Sequence, residues 1–473
     1  MEVEKMGGNN EVRGHVLMLV FPGYGHVAPM IQLARRLAFK GIKVTFASSL
    51  SVIQSFQPGS HLISLLPSYD DLTHGPIGGP RGIGVVAFLQ KFQDFTTDFS
   101  LDFINKSLQD PDERRRVKCL IYDFDFHWAL DVAKQAGVIS AAFHTQVLGA
   151  TAAYYMIYMK VRGEELKVPP LDIPDFSHNT GISEVVDGPG FHNISPVLKA
   201  ALVKFRNLGK ADFHFCLTFD KLEHEVLEWI KNICPTMATI GPMVASAYLD
   251  NRMEDNTDYG FIMNDPDTNM NTCLEWLNTK EPNSVVYIAF GSMADIESQQ
   301  VKEIALALRS LRCNFLWVMK QTEMQKNLPS NFLEEMSEKG MFVKWCPQLQ
   351  VLSHPAVGYI VTHCGANSVV EATVLGVPML GLPRYTDQIP NAYYVEEVWK
   401  VGVNAKKNEE GVYGKEEIER CFKELMYGEK GKEIKKNLKQ LRQHAIEAVS
   451  HGGSSDMHIE EFIARLVCGA KNK

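Results

Sequence analysis

The chain has no CxxC pair, no apolar run near the ~20 residues that a bilayer span needs, no surplus of positive charge, and no repeat or low-complexity tract. Each absence removes a class of function. Its nine cysteines lie singly along the sequence, so neither a disulfide framework nor a thiolate zinc site is indicated and a reducing compartment is expected. His354, His363, Cys346 and Cys364 share no metal-ligand spacing, and no metal is expected. The first apolar run covers only residues 16–21, and residues 1–13 are polar without the apolar segment of a secretory signal, which predicts a cytoplasmic protein with no membrane partner. The net charge is −8, which argues against nucleic acid and anionic lipid surfaces. Arg114-Arg115-Arg116 and the lysines between Lys430 and Lys439 read as solvated faces.

What remains is an ordinary globular composition, 45% hydrophobic and 22% charged, over 473 residues. That length predicts two or three domains. Residues 16–21 read as a buried strand, Gly23-Tyr24-Gly25 as a turn, 30–39 as a helix closed by Gly41, and 42–47 as the next strand. Residues 119–122 continue the alternation. A stretch rich in Asp and Asn follows between Asp250 and Asn271, after which strands at 285–290, 315–319, 342–344, 358–362 and 379–382 alternate with helices at 301–311, 367–375 and 415–426. The expected fold class is α/β, with two doubly wound, Rossmann-like domains facing a cleft. The expected boundaries are a tail at 1–13, a domain at 14–246, a linker at 247–273, a domain at 274–455, and a final helix at 456–473 packing back on the first domain.

Gly23-Tyr24-Gly25-His26-Val27-Ala28 fits the G-x-G-x-x-A dinucleotide pattern, but an NAD site wants an acid at the end of the second strand, where this chain has Ser48-Ser49. An NAD(P)-linked oxidoreductase is therefore a minor reading. Pro29 suits a helix's first turn. His26, read as a loop residue at a strand's carboxyl end, is a candidate general base, since its ordinary pKa of about 6.5 suits proton abstraction. Asp123 follows a second strand and is the candidate to orient it, with Asp125 competing for that role.

In the second half, Ser368 and Glu371 form an S-x-x-E pattern with two open readings. One is a capping box; the other is a helix N-terminus that binds phosphate, with Gly365 allowing close approach and His363 beside it. Trp345 could stack on a base or be buried, and Asp387-Gln388 could grip sugar hydroxyls or form a turn.

Trp345-Cys346-Pro347-Gln348, His363-Cys364-Gly365, Asn367-Ser368, Glu371, Gly376-Val377-Pro378 and Asp387-Gln388 together resemble the signature box of plant UDP-glycosyltransferases. Residues 345 to 388 span the 44 positions of that box. Phe21-Pro22, Gly25-His26, Pro29-Met30, Tyr122-Asp123, Phe290-Gly291-Ser292 and Gly452-Gly453-Ser454-Ser455 also match in order. The resemblance implies a GT-B fold, acceptor on the first domain and UDP-sugar on the second, with UDP-glucose as co-substrate and no cofactor. It further implies Trp345 stacking on uracil, the Cys346 backbone meeting it, and Gln348 and Glu371 on the ribose. His363, Asn367, Ser368 and Ser292 would hold the diphosphate, beside Gly365 and Ala366. Thr145 would lie near the sugar, with Thr386, Asp387 and Gln388 about its hydroxyls, and Gln388 favours glucose.

The implied reaction is an inverting displacement onto a small hydrophobic acceptor of the steroid, triterpenoid, phenol or carboxylic acid type, by an enzyme expected to be a monomer. The family nearly always has Trp where this chain has Ala366, so a nucleotide-sugar-binding protein with weak or lost transfer is the alternative. The aromatic and Met-rich stretches at 88–99 and 147–159 are expected to line the acceptor pocket, although core packing accounts for them nearly as well.

Overall fold

The computed structural model describes residues 12–69, 85–164, 196–253, 256–261, 270–291, 296–320, 324 and 327–468. These form two compact units: one holds the described residues up to 261 together with those from Glu447 onward, the other those from 270 to Ile446.

The first unit is built on a parallel sheet of β1 (Gly14–Leu19), β2 (Ile42–Ser49), β3 (Ile63–Tyr69), β4 (Val117–Asp123), β5 (Ile139–His144), β6 (Phe213–Cys216) and β7 (Met237–Thr239). Their order is β3-β2-β1-β4-β5-β6-β7. The second carries β8 (Val285–Ala289), β9 (Asn314–Val318), β10 (Gly340–Val343), β11 (Val357–Thr362), β12 (Met379–Gly381) and β13 (Gly402–Asn404) in the order β10-β9-β8-β11-β12-β13. Both orders reverse at one seam, β1/β4 in the first sheet and β8/β11 in the second. Ligands of open parallel sheets bind where the strand order reverses, at the strands' carboxyl ends. Leu19 pairs with Tyr122 across the first seam and Ala289 with Thr362 across the second, so the strand ends are level there.

Largely apolar sequence explains the central strands. β1, β8 and β11 are buried at every position, as strands covered on both faces must be. The first helix departs from expectation. It runs Tyr24–Phe39 with Gly23 as N-cap, so His26 stands in its first turn rather than in a loop. Pro29 is inside the helix, where it cannot donate to the Gly25 carbonyl; burial of Val27, Met30, Ile31, Leu33, Ala34 and Leu37 outweighs that loss.

Of the Asp- and Asn-rich stretch, Asn256 and Asp258 are bonded to the first unit. The Asn256 amide donates to Gln32 Oε1 at 3.0 Å, and Gln32 and Arg35 both donate to the Asp258 carbonyl. The final helix, Ser454–Cys468, also lies on this unit: Phe462 meets Phe213 and Phe215 edge-on, and Ser455 Oγ donates to the Gly241 carbonyl at 2.6 Å. Among the described residues no helix is long and apolar enough to cross a membrane.

Candidate active site

The first cluster lies at the β1/β4 seam. Asp123 ends β4 and is 1% exposed in its side chain, while the His26 ring, 23% exposed, descends from the helix after β1; Nδ1 stands 2.6 Å from Asp123 Oδ2. A carboxylate only accepts, so Nδ1 carries the proton and Nε2 is left with a lone pair. Asp123 Oδ1 accepts the Asp125 backbone N–H at 3.0 Å, which fixes the carboxylate's orientation. Burial alone would lower the His26 pKa, but the charge and hydrogen bond of Asp123, helped by Asp125, outweigh it and raise the pKa above the ordinary value.

Thr145 follows β5, and its hydroxyl lies 3.1 Å from the same Nδ1. The structure therefore places it on the Asp123 side of the ring.

Asp125 does not compete for His26. It is ion-paired with Lys204, which stands over the Phe124 and Phe205 rings. Burial disfavours its charge, yet the Lys204 and His26 cations more than compensate and hold its carboxyl below the usual range. The ligand atoms of His26, Asp123 and Asp125 fall within 4.8 Å of one another, a spacing that could suit a metal ion. Lys204 already supplies positive charge there. Asn207 donates to the His127 carbonyl at 2.7 Å, so the loop after β4 is held at two points by the turn Lys204–Asn207. Sequence reasoning missed Lys204, because nothing local ties it to a loop 79 residues earlier.

The second cluster lies where β8, β10, β11 and β12 end. Helix Ala366–Leu375 has Gly365 as its N-cap, with no side-chain cap bond. Ser368 and Glu371 are therefore not a capping box, because the helix begins two residues before Ser368. Both instead receive Gln348 Nε2, at 3.1 and 2.6 Å, while Gln348 Oε1 accepts from the Tyr287 hydroxyl at 3.0 Å. Gln348 and Glu371 are thus bonded directly, and Gln348 is held by a tyrosine of β8 that the sequence did not single out. Trp345 is half-buried before them, and Cys346 is buried with its thiol pushed up to about 12 by desolvation.

His363 is wedged between two glycines. A Cβ at Gly365 would come 2.7 Å from its Nε2, and one at Gly291, where φ is +76°, would come 3.0 Å from it. Burial, aided by the Arg384 charge, lowers its pKa to about 4, so the ring is neutral at physiological pH. Its Nδ1 is buried with no hydrogen-bond partner among the described residues. Asp387 accepts from Thr386 Oγ1 and Asn391 Nδ2, each at 3.0 Å, and the same Asn391 amide donates to the Cys364 carbonyl. Asn391 is a second residue missed from sequence; it ties the His363-Cys364-Gly365 turn to the Asp387 loop. Gln388 Oε1 is taken by the Arg384 and Tyr385 backbone, leaving its amide nitrogen for a ligand. Ala366 is buried at the helix start. Ser292 lies outside the described residues.

The family model described as UDP-glucoronosyl and UDP-glucosyl transferase matches residues 253–446, which contain the whole second cluster. A curated relative, mogroside I-E synthase of Siraitia grosvenorii, is 38% identical over 96% of this chain and 98% of its own length. The chain is a plant UDP-glycosyltransferase. UDP-glycosyltransferase 74F2 of Arabidopsis thaliana is similar at 39% identity, over 96% of this chain and 98% of that protein. Among solved structures, Os79 of O. sativa in complex with UDP superposes with a TM-score of 0.82 at 30% identity, covering 95% of this chain and 100% of that one. The fold of this glycosyltransferase is GT-B, and its substrates are a UDP-sugar and a small molecule. The G-x-G-x-x-A pattern of residues 23–28 therefore belongs to a glycosyltransferase, and the oxidoreductase reading falls.

Proposed function

We propose that the protein transfers glucose from UDP-glucose, with inversion, to a hydroxyl of a small hydrophobic plant metabolite, using His26 as general base and Asp123 as its orienting partner. The observation that carries this is the 2.6 Å contact of His26 Nδ1 with Asp123, which leaves Nε2 as the basic nitrogen. In the reaction Nε2 takes the acceptor's O–H proton and the oxygen forms its bond to the anomeric carbon. The bond from that carbon to the β-phosphate oxygen breaks, and UDP departs with the electron pair, so an α-donor yields a β-glycoside. Asp123 holds the ring in the tautomer the step needs and stabilises the imidazolium it creates.

The second cluster supplies the donor site in this reading. Trp345 stacks on uracil and the Cys346 backbone meets it. Gln348 and Glu371, already aligned, hold the ribose, the carboxylate of Glu371 accepting from its hydroxyls. The diphosphate lies at the N-terminus of helix Ala366–Leu375, against Asn367, Ser368 and neutral His363. The helix dipole and backbone N–H groups offset the charge developing on UDP, so no metal is invoked. Asp387 and the unspent amide of Gln388 hold glucose hydroxyls. Ala366 offers the sugar no aromatic wall, so these two bear more of its binding.

One name supports glucose and a phenolic acceptor: the Arabidopsis flavonol 7-O-beta-glucosyltransferase UGT74F1, 38% identical over 96% of this chain. Incubation with UDP-glucose and a panel of steroid, phenolic and carboxylic acceptors, read by mass, tests the reading. A product heavier by one hexosyl group supports it; UDP binding without any product would favour the binding-protein alternative.

A further inference from the structure

Asp125 is left unused by this mechanism, although it stands beside the base. An oxygen of its carboxylate, an oxygen of Asp123 and a ring nitrogen of His26 all lie within 4.8 Å of one another. Its Oδ1 is the atom paired with Lys204, and its Oδ2 accepts no hydrogen bond among the described residues. The two partners differ in exposure: Lys204 is 10% exposed and Asp125 36%, so the carboxylate, not the ammonium, is the more accessible member of the pair. The loop that carries it is not loose. The Asp125 N–H is held by Asp123, and the Asn207 amide holds the His127 carbonyl two residues on.

The charges about His26 can be counted from every element that meets it. Asp123 at the end of β4 and Asp125 in the following loop are negative, Lys204 is positive, and Thr145 after β5 is neutral. One negative charge remains beside the imidazole. That surplus favours a reaction that turns His26 into a cation, and it opposes entry of a second anion within a few ångströms.

We propose that Asp125 selects the acceptor: its unpaired oxygen receives a hydrogen bond from a second hydroxyl adjacent to the one that reacts, and its charge turns away acceptors that arrive as carboxylates. The preferred class is a neutral molecule with vicinal hydroxyls, such as a catechol or a vicinal diol. This rests on the acceptor lying at His26, as in the proposed function. Buried or half-buried polar groups built to pair with a substrate donor penalise analogues that lack it, because the group is then desolvated without a partner.

Three probes on one ring system separate the effects: 2,3-dihydroxynaphthalene, 2-naphthol and 2-naphthoate, each with UDP-glucose. For the wild-type chain we expect kcat/KM for the diol to exceed that for 2-naphthol by about tenfold, with 2-naphthoate slowest. Asp125→Ala should bring the diol and 2-naphthol within about twofold of each other and improve 2-naphthoate about tenfold, since Lys204 is then unneutralised. The double variant Asp125→Ala/Lys204→Met removes both charges, so it guards against misfolding from an unpaired ammonium. It should lose the diol preference equally while improving 2-naphthoate less. Dissociation constants of the three probes in the presence of UDP are measured on the same proteins. If no probe is turned over yet the diol binds tighter than 2-naphthoate and Asp125→Ala erases the difference, selection by Asp125 stands and the transfer reading fails. Equal preference in wild type, or ratios unmoved in both variants, overturns the proposal.

Discussion

His26 Nδ1 and Asp123 Oδ2 meet at 2.6 Å, although 97 positions separate them in sequence. They come together because β1 and β4 are neighbours in the sheet, so the helix that follows β1 and the last residue of β4 open at the same end. The carboxylate is buried and the ring partly open, the arrangement a base needs if it is to be oriented from behind and reached from the front.

The pH dependence follows from that pair. As the proposed base, His26 acts only when Nε2 is unprotonated, and its pKa is raised by Asp123, so kcat/KM should fall on the acid side with a midpoint above 6.5. In Asp123→Asn the causes that raise it are largely lost while burial, which lowers it, remains. The acid limb should move to lower pH, and kcat should drop by about 10²–10⁴-fold. Initial rates from pH 5 to 9 check both.

His363 behaves in the opposite way. With a pKa near 4 it stays neutral through the physiological range, so UDP affinity should show no histidine step between pH 5.5 and 8 arising from this residue. His363→Ala should weaken UDP binding about tenfold or more. Calorimetric titrations across pH test each point.

Gln348 joins Tyr287, Ser368 and Glu371 in one chain of hydrogen bonds. Gln348→Ala leaves the buried Glu371 carboxylate without that donor, with an expected stability loss of about 1–3 kcal/mol and a several-fold loss of UDP affinity. Urea unfolding and UDP titration on the same variant measure the two effects.

A structural test lies at the other end of the first unit. Asp456 binds Lys40 at 2.7 Å and Arg252 at 2.9 Å. Burial would raise its pKa, but hydrogen bonds from Lys40 and Arg252 hold it down at about 2. A depressed carboxyl contributes stability above its unfolded pKa of about 3.9 and loses it as pH falls through the folded value. Asp456→Asn should therefore cost about 1–3 kcal/mol at neutral pH, discounted for the part-exposed Arg252, and much less near pH 2. Urea midpoints at pH 7 and 2.5 compare the cases.

Much of the fold was legible because buried parallel strands must be nearly continuously apolar, and residues 16–21, 285–290 and 358–361 are. The first helix was misplaced because Gly25 and Pro29 are weak helix formers; their local preference yielded to the burial of one whole face, which only the folded sheet supplies. The Ser368/Glu371 pattern was ambiguous for a related reason: where a helix starts depends on the preceding turn, and Gly365 took the cap. Lys204, Tyr287 and Asn391 were invisible since their partners lie far away in sequence. Resemblance to a family supplied the roles of Trp345, Gln348 and Asp387, which spacing alone left open.

The most direct test is transfer by His26→Ala. With UDP-glucose and 2,3-dihydroxynaphthalene followed by mass, the glucoside should form at least about a hundredfold more slowly than with the unaltered chain, while the dissociation constant for UDP stays within twofold. Turnover equal to that of the unaltered chain would contradict a base at residue 26.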